Sequence, residues 1–426
     1  MRYLFVTVSA GGNLAPELAL AYRLVGRGHQ VRFLGHRAQQ AAVESAGCGF
    51  SAYRAAPDWD SEHPDTTPAN DWDGGPFKQF AELRERMLFG PAAAFAADVL
   101  DELDRHPADC LAVDSLSFGA MAAAERSGLP TAVLWHFAFL RPTPQTTAPG
   151  FGLATGWPGR LRDRALNTVE RRLWEKGLPA LNAARETIEL GPLRSVFEQY
   201  DRLARVLVMT SAAFDFATIS GIPLPPNVRF VGPQAEVPAY PHRATDATAG
   251  PPLVLVSSST AYQAQLPVLR RVIDALGTLP VRALVTTGPA VEVTDPVPHN
   301  VEVQHWVPHA EVLPEASLVV THAGHGTVMA ALAHGVPMVC LPLGREQPDN
   351  AARVVHAGAG VRLRPTASAR QIAAAVRRVL DDPEMTRGAA RMAAAIAAEV
   401  KADRAIAELE ALTVGGTTRR QKAPDA

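Results

Sequence analysis

The chain has 426 residues, of which 47% are hydrophobic and 20% are charged, and its formal net charge is −2. This length and composition predict a soluble globular protein with two domains of ordinary size. The small net charge argues against a nucleic-acid-binding surface. The chain has no apolar run of the roughly eighteen residues that span a membrane, so we expect a cytoplasmic protein with no membrane partner.

The N-terminal run Arg2–Val8 is apolar, but it is shorter than the apolar region of a signal peptide, and a Pro-started helix follows it directly. We therefore predict a buried first strand at this position. The three cysteines are far apart and lack the spacing of metal ligands. This pattern predicts buried thiols in a reducing compartment, at Cys48, Cys110 and Cys340.

Strands and helices alternate along the first half of the chain, beginning with a strand at Tyr3–Val8 and a helix at Pro16–Arg27. Further strands are predicted at Gln30–Leu34, Phe50–Arg54, Cys110–Val113, Thr131–Trp135 and Val206–Met209. Helices are predicted near Ala38–Ala46, Phe77–His106 (broken at Gly90-Pro91) and Phe118–Ser127, a loop at Ala55–Gly75, and a loop with irregular helix at Pro142–Leu190. Such alternation predicts a parallel sheet with helices on both faces.

The segment Pro233–Pro252 is rich in Pro and Ala and has few large apolar residues, which predicts a linker. A second alternation follows it, with strands at Leu253–Val256, Arg282–Thr286, Val301–Gln304, Ser317–Thr321 and Pro337–Leu341 and a helix near Leu266–Leu276. The predicted fold class is therefore α/β, with two Rossmann-like doubly wound domains facing a cleft. We assign them to residues 1–232 and 253–395, joined by the linker 233–252. Ligands bind such sheets beyond the carboxyl ends of the strands.

The most informative segment runs from His305 to Asn350. It contains a glycine-rich turn, His322-Ala323-Gly324-His325-Gly326-Thr327, between a strand and an Ala-rich helix. Such a turn points free backbone N–H groups and the positive end of the helix dipole at an anion. Glycine lets the backbone approach that anion closely. The turn predicts an anion site, although many such turns only close a βα unit and a His at this position is often only a polar cap.

Four elements of this segment recur in a fixed order: a Trp before a Pro loop, the glycine-rich turn, a second strand and the pair Glu346-Gln347. In this order they resemble the donor-binding signature of the inverting, metal-independent GT-B glycosyltransferases that make antibiotics and plant secondary metabolites from nucleoside-diphosphate sugars. The resemblance implies base contacts from Trp306 and Val307, pyrophosphate contacts from His322, Gly324, Gly326 and Thr327, and sugar contacts from Glu346 and Gln347. It also implies that a helix at 396–412 crosses back to the first domain, and we predict a flexible tail at 413–426.

A second phosphate contact is predicted where the first strand of the second domain ends in consecutive hydroxyl residues. The family has a Ser or Thr in this turn, so Ser258 and Thr260 are the candidates, although consecutive serines also commonly form loops. Backbone donors and the helix dipole can stabilise the leaving diphosphate, so we expect no metal ion and no other cofactor.

Two Asp-Trp-Asp triplets, Asp58–Asp60 and Asp71–Asp73, have the Asp-x-Asp form of the metal site in a different glycosyltransferase architecture. Both triplets fall in a first-domain loop that is far in sequence from the phosphate turn. We therefore expect them in a loop near the acceptor rather than at a metal.

The resemblance fails at the catalytic base. In the family, a His in the loop after the first strand takes the acceptor's proton, and an Asp after the fourth strand orients it. The matching residue here is Asn13, whose amide has no useful basicity. Asp114 is retained at a strand end, where it can also serve only to cap the next helix, and His136 is a second candidate at the same edge.

Three alternatives stay open for the missing base. Asp114 or His136 takes the proton, directly or through a water; the acceptor needs little deprotonation; or the protein binds donor without turnover. The resemblance implies transfer of a sugar, expected to be a deoxysugar, to a small apolar natural product such as a macrolide, polyketide or enediyne intermediate. The main alternative is a silent homologue that acts as a partner protein, and a weaker one is a sugar-nucleotide epimerase. The sequence leaves the acceptor, the sugar and a homodimer undecided.

The donor nucleotide is predicted to be thymidine diphosphate rather than uridine diphosphate. In the plant signature, a Glu eight residues after the phosphate His holds the two ribose hydroxyls, and that position here is Ala330. Alanine cannot accept those hydrogen bonds, whereas deoxyribose has no 2′-hydroxyl to satisfy. The alternative is that Ala330 only packs its helix and that the ribose is held elsewhere.

Overall fold

The computed structural model of the chain describes residues 1–139, 141–234, 250–288 and 291–420, with backbone only for 414–420. Most of the predicted linker 233–252 and the end of the predicted tail, 421–426, lie outside the described residues. Within the described ranges, no helix is long and apolar enough to cross a bilayer. The three cysteines are free and buried, in agreement with the sequence prediction.

The first domain is built on a seven-stranded parallel sheet with the strand order β3-β2-β1-β4-β5-β6-β7. Its strands are β1 (Arg2–Val6), β2 (Gln30–Gly35), β3 (Gly49–Ala52), β4 (Cys110–Asp114), β5 (Thr131–Trp135), β6 (Arg205–Val208) and β7 (Val228–Phe230). Every residue of β4 and β5 is buried, because helices cover both faces of the sheet. Because β4 and β5 are parallel, their carboxyl ends lie at the same edge of the sheet.

The second domain contains a six-stranded sheet with the order β10-β9-β8-β11-β12-β13. Its strands are β8 (Leu253–Ser257), β9 (Arg282–Thr286), β10 (Val301–Gln304), β11 (Ala316–Thr321), β12 (Met338–Cys340) and β13 (Gly360–Arg362). All of its strand pairs are parallel. The predicted fold class, two Rossmann-like α/β domains, is confirmed.

Helices join the strands and cover both sheets. Those of the first half are α1 (Leu14–Gly26), α2 (Gln40–Ser45), α3 (Pro76–Leu83), α4 (Ala92–Arg105), α5 (Phe118–Ser127), α6 (Gly156–Glu175), α7 (Leu178–Glu186), α8 (Glu198–Asp201) and α9 (Phe216–Ile219). Those of the second half are α10 (Leu266–Gly277), α11 (His309–Val312), α12 (His325–Ala333), α13 (Gln347–His356), α14 (Ala369–Asp381), α15 (Pro383–Lys401) and α16 (Arg404–Arg420).

The last two helices belong to different domains. Helix α15 packs against α12 of the second domain, and the chain then turns at Asp403, whose φ is 45°. Helix α16 packs on the first domain, where its buried face joins the apolar cluster around β1, with Ala405, Ile406 and Leu409. Arg23 of α1 and Arg27, which follows the end of α1, bind the Asp403 carboxylate at 2.6 and 2.7 Å. Helix α16 continues to Arg420, within the range predicted as a tail.

The structure differs from the sequence prediction in local details. The sequence pattern does not predict β7 and β13, because three residues are too few for a period-2 pattern. Strand β1 ends at Val6 rather than Val8. The reason is that the carbonyl oxygen of Val8 accepts the side-chain amide of Asn13 at 2.5 Å, which turns the chain into the loop before α1.

Candidate active site

The predicted anion site is at the start of α12, directly after β11. Gly324 is the N-cap residue, and His325, Gly326 and Thr327 form the first turn. The first backbone N–H groups of a helix have no acceptor within the helix, so this end can receive an anion. A Cβ on Gly324 would lie 2.4 Å from Nε2 of His322, whereas a Cβ on Gly326 would meet nothing within 4 Å. Gly324 thus makes room for the imidazole, and Gly326 leaves the mouth of the turn open.

His322 lies half-buried over this turn, and its Nδ1 donates to the carbonyl oxygen of Ser257 across 3.4 Å. Burial lowers the pKa of His322 to about 4, so the ring is neutral at neutral pH. With its proton on Nδ1, the ring directs the bare Nε2 toward the space above Gly324. A phosphate oxygen bound there would favour a second proton on the ring.

A hydroxyl residue that the sequence prediction missed lies between the end of β8 and the glycine-rich turn of the predicted donor site. The hydroxyl of Ser257, the last residue of β8, lies 3.2 Å from the Thr327 hydroxyl and 3.2 Å from Nε2 of His309. Of the two predicted candidates, Ser258 is half-buried and borders a small cavity beside His322, whereas Thr260 is exposed. The structure therefore brings Ser257 to the turn more directly than Ser258 or Thr260. Its place at the carboxyl end of a central strand was the available signal.

Trp306 and Val307 follow β10 at the open edge of the second domain. The Trp306 residue is 71% exposed, and Val307 is half-buried. An exposed indole is free to stack on an aromatic ligand. The position is compatible with the predicted base contact, which stays a prediction.

The predicted sugar-binding pair lies at the start of α13, where Glu346 is the N-cap residue and Gln347 is the first residue of the helix. The side-chain oxygen of Gln347 accepts the backbone N–H groups of Leu343 and Gly344 at 2.8 and 3.1 Å, and its amide donates to Gln263 across 2.7 Å. Gln347 therefore orders the loop before α13, in addition to any sugar contact. Glu346 is half-buried, and burial raises its pKa above the usual range.

The three catalytic candidates meet at the carboxyl edge of the first sheet. The Asn13 amide donates to Oδ2 of Asp114 across 2.5 Å, and Oδ1 of Asp114 accepts the backbone N–H of Leu116 at 2.8 Å. Asp114 thus both contacts the residue at the family's base position and orders the turn before α5. Nε2 of His136 lies 3.4 Å from the same carboxylate.

A fourth member of this cluster, Glu17, was missed by the sequence prediction. It follows Asn13 by one helical turn, so both side chains lie on the same face of α1. Its carboxylate is buried and lies 3.1 Å from Nε2 of His136. An acidic residue in the first turn of a helix usually only interacts with the helix dipole, which is why the sequence gave no reason to select it.

The charges of this cluster are strongly coupled. Burial lowers the pKa of His136, but the carboxylates of Asp114 and Glu17 outweigh burial and raise that pKa to about 10. Burial raises the pKa of Glu17 to about 7, against the opposing effect of His136. At neutral pH His136 is therefore a cation held between two acidic groups, and its ring cannot accept a further proton. Burial lowers the pKa of His325, in the first turn of α12, to about 4, and the charge of His136 acts in the same direction.

Two groups of acidic residues are candidate metal sites. Among the described residues, the group whose ligand atoms lie close enough, within 4.8 Å of one another, is Glu17, Asp114 and His136. The protonated imidazole already supplies a positive charge between these carboxylates. The carboxylates of the Asp-Trp-Asp triplets each pair with a basic side chain: Asp58 with Arg37, Asp60 with His63, Asp71 with Arg345 and Asp73 with Lys78.

Known proteins resemble this chain in both sequence and fold. Residues 270–412 match the family described as erythromycin biosynthesis protein CIII-like, C-terminal domain. The chain is 33% identical over 403 residues to 4'-demethylrebeccamycin synthase of Lentzea aerocolonigenes, which covers 92% of this chain and 94% of that protein. It is 28% identical over 411 residues to demethyllactenocin mycarosyltransferase of Streptomyces fradiae, with 91% and 81% covered.

The fold is shared with solved antibiotic glycosyltransferases. The structure of the glycotransferase of kitacinnamycin superposes with a TM-score of 0.75 at 22% identity, over 96% of this chain and 98% of that one. The calicheamicin glycosyltransferase CalG4 superposes with a TM-score of 0.73 at 22% identity, over 96% and 98%. The chain therefore belongs to the antibiotic glycosyltransferase family, whose members transfer sugars on the two-domain GT-B fold, as the motifs of its second domain imply.

Proposed function

We propose that the protein transfers a deoxysugar, with inversion and without a metal ion, from a thymidine-diphosphate sugar to a small apolar natural product. The observation that carries this proposal is the open start of α12. There Gly326 leaves space above the first helical turn, and His322 and the Ser257–Thr327 hydroxyl pair border it. These groups are suited to a diphosphate and to the charge that develops on it as it leaves.

The proposed mechanism uses two parts of the cleft: the start of α12 in the second domain and the carboxyl edge of the sheet in the first domain. The diphosphate binds at α12, and the acceptor binds beside Asn13 at the edge of the first sheet. The acceptor attacks the anomeric carbon from the face opposite the diphosphate, which inverts the configuration. The helix dipole and the backbone N–H groups take the role that a divalent cation has in other architectures, because they hold fixed positive charge at the leaving group.

The thymidine preference rests on Ala330, which lies half-buried in α12 and has no group that can accept a ribose hydroxyl. A fold neighbour, the glycosyltransferase VinC, is described in complex with dTDP, and it superposes with a TM-score of 0.67 at 18% identity. This likeness supports the choice of thymidine diphosphate as the first nucleotide to test.

The acceptor is proposed to need little deprotonation. Asn13 has no basic atom, and the ring of His136 is already protonated at neutral pH. The carboxylates of Asp114 and Glu17 can receive a proton at this edge, and a carboxylate is a weak base toward an aliphatic alcohol. A phenol, a hydroxylamine-like oxygen or an electron-rich aromatic carbon fits this edge better.

The test is a mass-spectrometric screen of thymidine- and uridine-diphosphate sugars against a library of phenolic and alcoholic acceptors, with and without EDTA. We expect glycosylated products from thymidine-diphosphate donors, unaffected by EDTA. Activity lost with EDTA and restored by magnesium or manganese would contradict the metal-free mechanism. Nucleotide binding without any product would favour the silent partner protein, and an altered sugar on the recovered donor would favour an epimerase.

A further inference from the structure

The second Asp-Trp-Asp triplet joins the two domains across the cleft. Asp71 lies in the first-domain loop between β3 and α3, and Arg345 lies immediately before the predicted sugar-binding pair. The guanidinium of Arg345 contacts both carboxylate oxygens of Asp71, through Nε to one oxygen and through Nη2 to the other at 3.0 Å. The Asp71 side chain is 1% exposed and that of Arg345 is 19% exposed. This bidentate pair is therefore shielded from solvent.

Neighbouring contacts hold the same loop on the second domain. The backbone N–H of Tyr262 donates to the carbonyl oxygen of Ser61 across 3.3 Å. The ring of Trp72 meets the ring of Tyr262 edge-on, with 5.1 Å between the centroids. The next residue along, Gln263, accepts the side-chain amide of Gln347 at 2.7 Å. The first-domain loop thus covers the segment that contacts Gln347.

The backbone of Arg345 is held in an unfavourable conformation. Its φ is 53°, in the left-handed region that residues with a side chain rarely adopt. Such a conformation persists only where the surroundings enforce it, and it is common at ligand-binding positions. Two sets of contacts provide this constraint. The Asp71 carboxylate holds the side chain of Arg345. The side-chain oxygen of Gln347 accepts the backbone N–H groups of Leu343 and Gly344, which directly precede Arg345.

We propose that Asp71 and Arg345 form a cross-cleft latch that holds Glu346 and Gln347 in position for the sugar of the donor. The latch comprises these two residues only, and both are positioning residues. The sugar subsite then exists in its binding form only while the first-domain loop lies against the second domain. The proposal rests on the donor site described under the proposed function.

If the latch acts in this way, the diphosphate and the sugar of the donor contribute separately to its binding affinity. The diphosphate binds at the start of α12, which has its own contacts to Ser257 and does not depend on Asp71. The sugar binds at Glu346 and Gln347, which follow Arg345 directly. Loss of the latch should therefore weaken the binding of a sugar nucleotide and leave unchanged the binding of a nucleotide that carries no sugar.

The test measures the affinity of the full chain for thymidine diphosphate and for thymidine-diphosphate glucose by calorimetry. In Asp71→Asn, thymidine-diphosphate glucose should bind at least about tenfold more weakly, whereas thymidine diphosphate should stay within about twofold of wild type. Asp73→Asn is the matched control, because the Asp73 side chain is 66% exposed and pairs with Lys78 at the surface. It should bind both ligands as wild type does.

A double variant separates the latch from a general loss of stability. Asp71→Asn alone leaves Arg345 buried without its partner, which is itself destabilising. Asp71→Asn combined with Arg345→Gln removes both charges, so its melting temperature should recover toward wild type while its affinity for the sugar nucleotide stays low. Recovery of sugar-nucleotide affinity in the double variant would overturn the proposal, because it would assign the whole effect to the unpaired charge.

The remaining outcomes are also decisive. Equal affinities of wild type and Asp71→Asn for thymidine-diphosphate glucose would remove the latch while leaving the proposed function intact. An equal loss of affinity for both ligands in Asp71→Asn would assign Asp71 a purely structural role and would overturn the latch. A wild-type protein that binds neither ligand would contradict the proposed function itself.

Discussion

The side-chain amide of Asn13 donates to the carboxylate of Asp114 across 2.5 Å, at the position where the family places an imidazole on that carboxylate. By the family resemblance, Asp114 corresponds to the orienting half of the catalytic pair, and the amide of Asn13 stands where the family has its base. The nearest imidazole, that of His136, comes from the end of β5 and lies between Asp114 and Glu17.

Asn13→His should create a general base beside Asp114. The new imidazole would replace the amide on the Asp114 carboxylate, and a positioned base of this kind contributes roughly a hundredfold or more to turnover. We expect kcat with an aliphatic alcohol acceptor to rise by about tenfold or more, with a much smaller gain for a phenol. The measurement is kcat for a matched phenol and alcohol in both proteins. An equal gain for both acceptors would contradict the assignment.

Asp114→Asn should lower turnover at least about tenfold, or about 1.4 kcal/mol in the barrier. The reason is that the carboxylate contacts Asn13 and can itself receive a proton at this edge. Donor affinity should be nearly unchanged, since the donor site lies on the other domain. Asp109→Asn is the control, because Asp109 precedes β4 at its opposite end and pairs with Arg2. Wild-type turnover in Asp114→Asn would transfer its role to the carboxylate of Glu17.

His136→Gln should change how the stability of the protein depends on pH. The pKa of His136 in the folded protein is about 10, above its ordinary value, so His136 stabilises the fold fully below about pH 6.5. This contribution is lost as the pH rises toward 10, by at most about 1.4 kcal/mol per pH unit. The melting temperature of wild type should therefore fall more steeply than that of His136→Gln over this window. If the melting temperatures of the two proteins fell in parallel with rising pH, His136 would have no raised pKa.

Gly326→Val should abolish nucleotide binding and leave the fold intact. A Cβ at this position meets nothing within 4 Å, so the side chain would fit without strain and would occupy the space above the helix start. Gly26→Val is the control, because Gly26 is the last residue of α1 in the first domain. A Cβ added at Gly26 also meets nothing within 4 Å. Calorimetry with thymidine diphosphate gives the readout. Unchanged affinity in Gly326→Val would move the donor site elsewhere.

Ala330→Glu should shift nucleotide preference toward uridine diphosphate. A Glu at this helix position would supply acceptors for ribose hydroxyls, and a hydrogen bond to a charged group contributes roughly 1.5–3 kcal/mol. Wild type should prefer thymidine diphosphate, and this preference should shrink in the variant. The measurement is the ratio of the two dissociation constants in each protein. Tighter binding of uridine diphosphate by wild type would refute the prediction.

Much of the donor site is contiguous in sequence, which is why motifs were enough to propose it. The stretch from Thr321 to Thr327 places a strand end, two glycines and a helix start within seven residues, and local geometry dictates where their N–H groups point. The apolar runs of β4 and β5 likewise predict a sheet covered on both faces. The sequence by itself thus determined the fold class, the family and the position of the glycine-rich turn.

Only the tertiary structure decided which distant side chains meet. Asn13 and Asp114 are 101 positions apart, and Asp71 and Arg345 are 274 positions apart. Periodicity reports on neighbours within a few turns, whereas these contacts depend on how parallel strands align their carboxyl ends and how two domains close on each other. Glu17 became a member of the charged cluster for the same reason, because burial beside His136 cannot be deduced from its place in the first turn of α1.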